Sequence, residues 1–126
     1  MTSLSGRARL FSVIIAACGI GMTASADPPN GEQLFKRQCA VCHSVQPGQV
    51  LMGPSLAGLI DRPAGSVTTF RYSPAMKSSG LVWDEETVKT FIESPRKLIP
   101  GTNMAFPGER DPAKREAIVE YLAGLE

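Results

Sequence analysis

Histidine is nearly missing from this sequence: His43 is the only one in 126 residues. Cysteine is scarce too, at three, which is too few for a disulfide framework. A structural zinc site wants four nitrogen or sulfur ligands, and no second Cys/His pair exists to complete one. Neither sign of charge is in excess, with 13 basic against 12 acidic side chains, so composition offers no electrostatic argument for nucleic acid as a partner. Aromatic residues make up 6%, and the length suits one domain. A domain this small buries a limited share of its surface, so a bound group that adds core volume would help it fold.

Long apolar runs are also lacking. Leu10 to Met22 is the main one, too short for a comfortable membrane span of roughly 20 residues. Arg7 and Arg9 precede it and Ala24-Ser25-Ala26 follows, with Asp27-Pro28-Pro29 beyond. A basic start, an apolar centre and a small-x-small site make a secretory leader. Residues 1–26 are therefore read as a signal peptide and residues 27–126 as the functional domain. Two other readings exist: an uncleaved anchor, and a lipobox at Ile15-Ala16-Ala17-Cys18 with acylation of Cys18. Cleavage after Ala26 removes Arg7 and Arg9 and leaves 11 basic against 12 acidic side chains, net −1.

Helix signals follow the leader. Asn30 caps a first helix, with Gln33 placed to reach back. That helix is expected to run through Cys39 and Cys42, aligning Phe35, Cys39 and His43 on one face. Residues 44–71, rich in Gly, Pro and Ser, read as a long loop of the kind that carries function. Ser73-Pro74 opens a short helix that Gly80 closes. Asp84 caps a third with Val88, Phe91 and Ile92 on its apolar face, limited by Pro95. Residues 95–110 read as loop. Asp111-Pro112 starts the last helix, with Ile118, Tyr121, Leu122 and Leu125 on one face. The fold class is all-α: a few helices strung on long loops.

Chemistry concentrates at Cys39-Ala40-Val41-Cys42-His43. C-x-x-C-H is the haem-attachment signature. Two thiols three residues apart can each add to a vinyl group of one porphyrin, and the next residue places an imidazole on the iron. A thioredoxin-like use of C-x-x-C needs a βαβ setting, which this sequence does not offer. Two plain thiols in an oxidising compartment should pair or be lost. The cofactor is expected to be one haem c, held by thioethers at Cys39 and Cys42 and by the iron bond to His43.

With no second histidine, the sixth iron position falls to methionine, a known axial partner of histidine. Beyond the leader the chain offers Met52, Met76 and Met104. Met104 lies in a loop between two helices, Met52 is nine residues from His43, and Met76 sits in a short helix. Methionine also serves as core filler, and residue positions alone leave the choice open.

Taken in order, these residues resemble the class I cytochromes c, the family of mitochondrial cytochrome c and its small soluble bacterial relatives. The marks are Gly31-x-x-x-Phe35, Cys39 to His43, Gly53-Pro54-Ser55-Leu56, Arg62-Pro63-Ala64-Gly65, Phe70-Arg71-Tyr72-Ser73, Gly80-Leu81-Val82-Trp83, Pro100 to Phe106, and Tyr121-Leu122. The resemblance implies the class I cytochrome c fold wrapped around one covalent haem. It implies Met104 as the axial thioether opposite His43, and the Pro54 carbonyl as acceptor for the far nitrogen of His43. It further implies Arg62, Tyr72 and Trp83 around a haem propionate, and Gly31 and Phe35 crossing Ile118 and Tyr121. Three positions depart from the mitochondrial pattern: Phe91 for a tyrosine, Asn103 for a lysine and Met76 for an asparagine.

The sequence thus predicts a soluble, monomeric, periplasmic carrier of single electrons by Fe(II)/Fe(III) cycling, not an enzyme. Its expected partners are redox proteins, either membrane respiratory complexes or periplasmic dehydrogenases and reductases. The rival readings are a haem enzyme or gas-binding module with an open iron, and a subunit of a larger oxidoreductase. Mass spectrometry of the exported holoprotein should show a chain beginning at Asp27; an acylated chain beginning at Cys18 would replace the cleavage reading with the lipobox reading.

Overall fold

The computed structural model describes residues 26–125. Residues 1–25 of the leader reading, Cys18 among them, lie outside the described residues. Five helices follow one another: α1 (Gly31–Gln38), α2 (Pro74–Lys77), α3 (Glu85–Glu93), α4 (Pro95–Leu98) and α5 (Pro112–Ala123). Among the described residues there is no strand, only one isolated antiparallel bridge, Pro63 to Val82.

Caps set most of the starts. The Asn30 side chain accepts the Gln33 N–H at 2.9 Å, and Ser73 Oγ accepts the Met76 N–H at 3.1 Å. Asp84 accepts the Thr87 N–H at 2.7 Å, and Asp111 accepts from Ala113 at 2.9 Å. Each satisfies a first-turn donor that has no partner within its helix. Pro74 and Pro112 occupy the first turns of α2 and α5, where the missing N–H costs nothing.

Two elements differ from expectation. The first helix stops at Gln38 instead of carrying Cys39 and Cys42. Both the Cys39 and Ala40 N–H groups donate to the Phe35 carbonyl, at 2.8 and 2.9 Å, so the regular ladder loosens there. The chain then turns tightly, with Cys42 and His43 both donating to the Cys39 carbonyl at 3.0 and 2.9 Å. The alignment of Phe35, Cys39 and His43 on a continuing helix face therefore does not hold. The second difference is α4, within a segment expected to be loop. Ser94 is driven to extended geometry (φ −159°, ψ 90°), as befits a residue before proline. Pro95, pre-set for a helical first turn, then starts a new one.

Helix α5 is the keel, packing against both α1 and α3. That double contact explains why Val119, outside the expected apolar face, is fully buried along with Ile118 and Leu122. Gly31 makes the α1–α5 crossing close: a Cβ there would fall on the Ala117 carbonyl and come within 2.9 Å of Tyr121 Cβ. One turn on, the Phe35 and Tyr121 rings meet with centroids 5.5 Å apart, tilted by 46°. The remaining core side chains, among them Leu59, Met76, Trp83, Val88, Phe91 and Ile92, face inward across a hollow.

Gly31→Ala should destabilise the holoprotein by about 1–3 kcal/mol, the range for overpacking a tight contact. Guanidinium unfolding checks this, and an unchanged midpoint would show that the helices can separate without loss.

Candidate functional site

The hollow is a cavity of about 600 Å³, within the range of cofactor sites. Its wall is mostly apolar and comes from most of the fold: the turn after α1, the 44–71 loop, α2, α3, the loop before α5, and α5 itself. At ~24 cal/mol per Å³, a dry cavity of about 600 Å³ would cost about 14 kcal/mol. That is comparable to the whole stability of a small domain, roughly 5–15 kcal/mol. The chain's own side chains do not complete this core, so the fold fits a large apolar group there.

Cys39, Cys42, His43, Pro54, Arg62, Tyr72, Trp83 and Met104 all line this cavity. Cys39 and Cys42 are half-buried and unpaired. Burial, with a smaller contribution from Cys42, pushes the Cys39 thiol up to about 11. It is thus held as a neutral thiol at neutral pH, unlike a reactive thiolate.

His43 Nδ1 lies 2.8 Å from the Pro54 carbonyl oxygen. A carbonyl only accepts, so Nδ1 carries the hydrogen. Burial lowers the His43 pKa; the Pro54 bond works against this and the Arg62 charge works with it. The ring is accordingly neutral, and its Nε2 keeps a free lone pair, the form a metal requires. Backbone bonds hold the pair in place: Gly53 N–H donates to the Cys42 carbonyl at 2.8 Å, and Leu56 N–H to the Ser44 carbonyl at 2.8 Å. Gly53 itself lies flat against the imidazole. A Cβ built there would sit 2.7 Å from Nδ1 and 3.0 Å from Nε2 of His43.

Arg62 and Trp83, distant in sequence, are tied by their backbones: Trp83 N–H donates to the Arg62 carbonyl at 3.0 Å, and Asp61 N–H to the Trp83 carbonyl at 3.1 Å. Arg62 spends Nη1 on the Ala57 carbonyl (2.8 Å) and Nη2 on the Ser55 carbonyl (2.9 Å). A guanidinium has five N–H donors, so some are left for a ligand. Burial pulls the Arg62 pKa down, and Tyr72 opposes this. Burial raises the Tyr72 hydroxyl, against the Val67 backbone and Arg62. Trp83 is buried with its ring 5.0 Å from that of Phe91.

All three methionines beyond the leader line the cavity. Met76 is buried, whereas Met52 is 70% exposed at the mouth. Met104 is half-buried on the loop joining α4 to α5. Thr102, itself buried, shapes that loop: its Oγ1 accepts the Met104 N–H at 3.3 Å. Further along, Glu109 accepts a bond from Gln38 Nε2 at 2.8 Å and ties the loop to the residue before Cys39. Gly53, Thr102 and the Gln38–Glu109 bond carried no role in the sequence reading. Only the Gly-Pro pair after the cysteine motif gave a local hint of the first.

A helical domain folded around one apolar cavity, with the C-x-x-C-H segment in its wall, belongs to the class of monohaem c-type cytochromes. More particularly, the chain is a member of the cytochrome c family: the family model described as Cytochrome c matches residues 29–126. It is 40% identical over 117 residues to cytochrome c2 of Blastochloris viridis, covering 92% of this chain and 91% of that protein. It is 46% identical over 100 residues to cytochrome c2 of Rhodoblastus acidophilus, covering 79% and 92%. Its structure resembles that of cytochrome cH from Methylobacterium extorquens with a TM-score of 0.71 at 37% identity, over 79% of this chain and 99% of that one. The cofactor is accordingly one covalently attached haem c, and the cavity suits it in size, apolarity and donor set.

Gly53→Ala should force the imidazole away from its position over the backbone. The visible spectrum of the holoprotein should show a weakened or lost low-spin signature; an unaltered spectrum would mean that the 44–71 loop yields instead.

Proposed function

We propose that this chain is an exported carrier of single electrons, its haem held by thioethers at Cys39 and Cys42 and its iron between His43 and Met104. The observation that carries the reading is an apolar cavity that brings together two unpaired cysteines, an imidazole with a free Nε2 and a thioether on a separate loop. When bound, the haem supplies a one-electron Fe(III)/Fe(II) couple. The rest is the work of the chain. His43, hydrogen-bonded through Nδ1 to Pro54, is a stronger donor than a free imidazole. Met104 is a soft ligand that favours the reduced iron and raises the potential. The apolar wall keeps water from the iron and disfavours added charge.

Met104 is preferred over its rivals because Met52 adjoins Gly53, the residue packed on His43, and its side chain is largely exposed. Met76 is held in α2, whose backbone comes within 3.1 Å of a Cβ built at Gly65, close to the Arg62 segment. The family resemblance favours Met104 as well. Arg62, Tyr72 and Trp83 are the donors suited to a buried propionate, a charge that needs partners when desolvated. Phe91 offers no hydroxyl to the ligand sulfur, so nothing on that side chain competes for its lone pairs. His43 and Met104 would together hold the iron and leave no position for a substrate, so the proposed reading is a carrier and not an enzyme. Export to the periplasm follows from residues 1–26, and action as a monomer between redox proteins completes the proposal.

Cys39→Ala combined with Cys42→Ala should abolish haem that resists acid-acetone extraction. Haem retained on the denatured double variant would overturn the attachment.

Met104→Ala should lower the midpoint potential and let cyanide or CO bind. Met52→Ala and Met76→Ala should leave coordination intact, the latter costing ~2–5 kcal/mol of stability because Met76 is buried. An iron opened by either of these, with Met104→Ala silent, would reassign the ligand. If none of the three matters, the open-iron reading replaces the carrier.

A further inference from the structure

The cavity wall has an unusual distribution of charge. Arg62 is its only lysine, arginine, aspartate or glutamate, and that guanidinium is turned onto the Ser55 and Ala57 carbonyls. The mouth is formed by neutral residues. Val41, between the two cysteines, is 68% exposed and Met52 70%. Asn103 and Ala105, flanking Met104, are exposed as well. Leu51 extends the apolar surface next to Met52 at 45% exposure. None of the basic residues near the lining in sequence, Arg37, Arg71, Lys77 and Lys89, nor Lys36 or the Arg96-Lys97 pair, lines the opening, and Lys36 is paired with Glu32 at 2.6 Å.

Large exposed side chains grouped at the mouth of a functional cavity mark an interaction surface. A partner that faced this rim with its own charges would have to desolvate them without counter-charges, which is unfavourable. A partner with an apolar, uncharged face would instead bury Val41 and Met52 and release their water. We propose that this rim is the docking face for a redox protein whose own electron-exchange site is ringed by uncharged apolar residues, so that apolar burial and not charge pairing selects the partner. The inference rests on the electron-carrier reading above and adds to it the chemistry of the partner.

A second copy of the holoprotein is a suitable probe because it brings the same uncharged rim. In electron self-exchange a reduced copy loses the one electron that an oxidised copy gains, with no bond made or broken. Identical copies have no driving force between them, so a change in potential does not enter. The rate, measured by NMR line broadening of mixed samples, should vary by less than about twofold between ~10 mM and ~500 mM KCl, since screening acts only between charges. Met52→Lys and Val41→Lys should each slow exchange by more than about tenfold at low salt and recover at high salt, because like charges then face each other. Separately from electron transfer, the anionic paramagnetic hexacyanochromate(III) should leave the Val41 and Met52 methyl signals sharp and should broaden their neighbours in the lysine variants. Strong salt dependence in the unaltered protein, broadened rim signals, or lysine variants indistinguishable from it would overturn the proposal. Voltammetry separates the two levels: a chain without a reversible one-electron couple fails as a carrier, whereas a reversible couple with salt-governed exchange refutes only the docking face.

Discussion

The cavity at the centre of this domain is the constraint on which the rest depends. The side chains that an ordinary small protein would interdigitate, such as Trp83, Phe91, Ile92, Ile118 and Leu122, instead stand around a space of about 600 Å³. Helices α1 and α3 each pack on α5 along one side, but the other walls are loops with little regular hydrogen bonding of their own. Such a chain draws its cohesion from what fills its middle. The covalent haem of the cytochrome c family is then core as much as cofactor.

Around that cavity the polar chemistry is held away from the apolar wall by specific partners. The His43 imidazole is fixed in one tautomer by a single carbonyl and supported by a glycine that leaves room for it. Arg62 is anchored by two carbonyls of its own loop before it can serve anything else. Every enclosed side-chain nitrogen or oxygen among the described residues has a hydrogen-bond partner. The consequence is a pocket whose one strong charge is tethered in its interior and whose mouth is neutral. On the proposed reading, that separates what tunes the iron inside from what meets a partner outside.

The loops owe their shapes to a few backbone devices. Ser94 and Pro95 end one helix and begin another. Thr102 and the Gln38–Glu109 bond shape the Met104 loop and tie it to the segment bearing the cysteines. Gly108 allows that loop to pass directly over the Glu93 carbonyl, where a Cβ could not fit, at a φ of +111°. The Gln38–Glu109 and Gly108–Glu93 contacts join residues far apart in the chain.

Much was legible in the sequence because it was local. Helix caps at Asn30, Ser73, Asp84 and Asp111 act within one turn, and the cysteine motif carries its chemistry in five consecutive residues, so the all-α class and the haem followed from short stretches read alone. What the sequence could not decide depends on distance through space. Whether α1 continued through Cys39 turned on a bifurcated carbonyl and on the loop that draws His43 toward Pro54, and the α-helical period by itself extrapolated wrongly. The sequence placed Met104 in a loop, Met76 in a short helix and Met52 near His43, but only the folded chain left Met52 exposed, buried Met76 and half-buried Met104 at one cavity. The pairing of Arg62 with Trp83, the support of His43 by Gly53 and the neutrality of the rim were likewise decided by tertiary structure, because each is a relation between segments that the chain brings together only when it closes around its core.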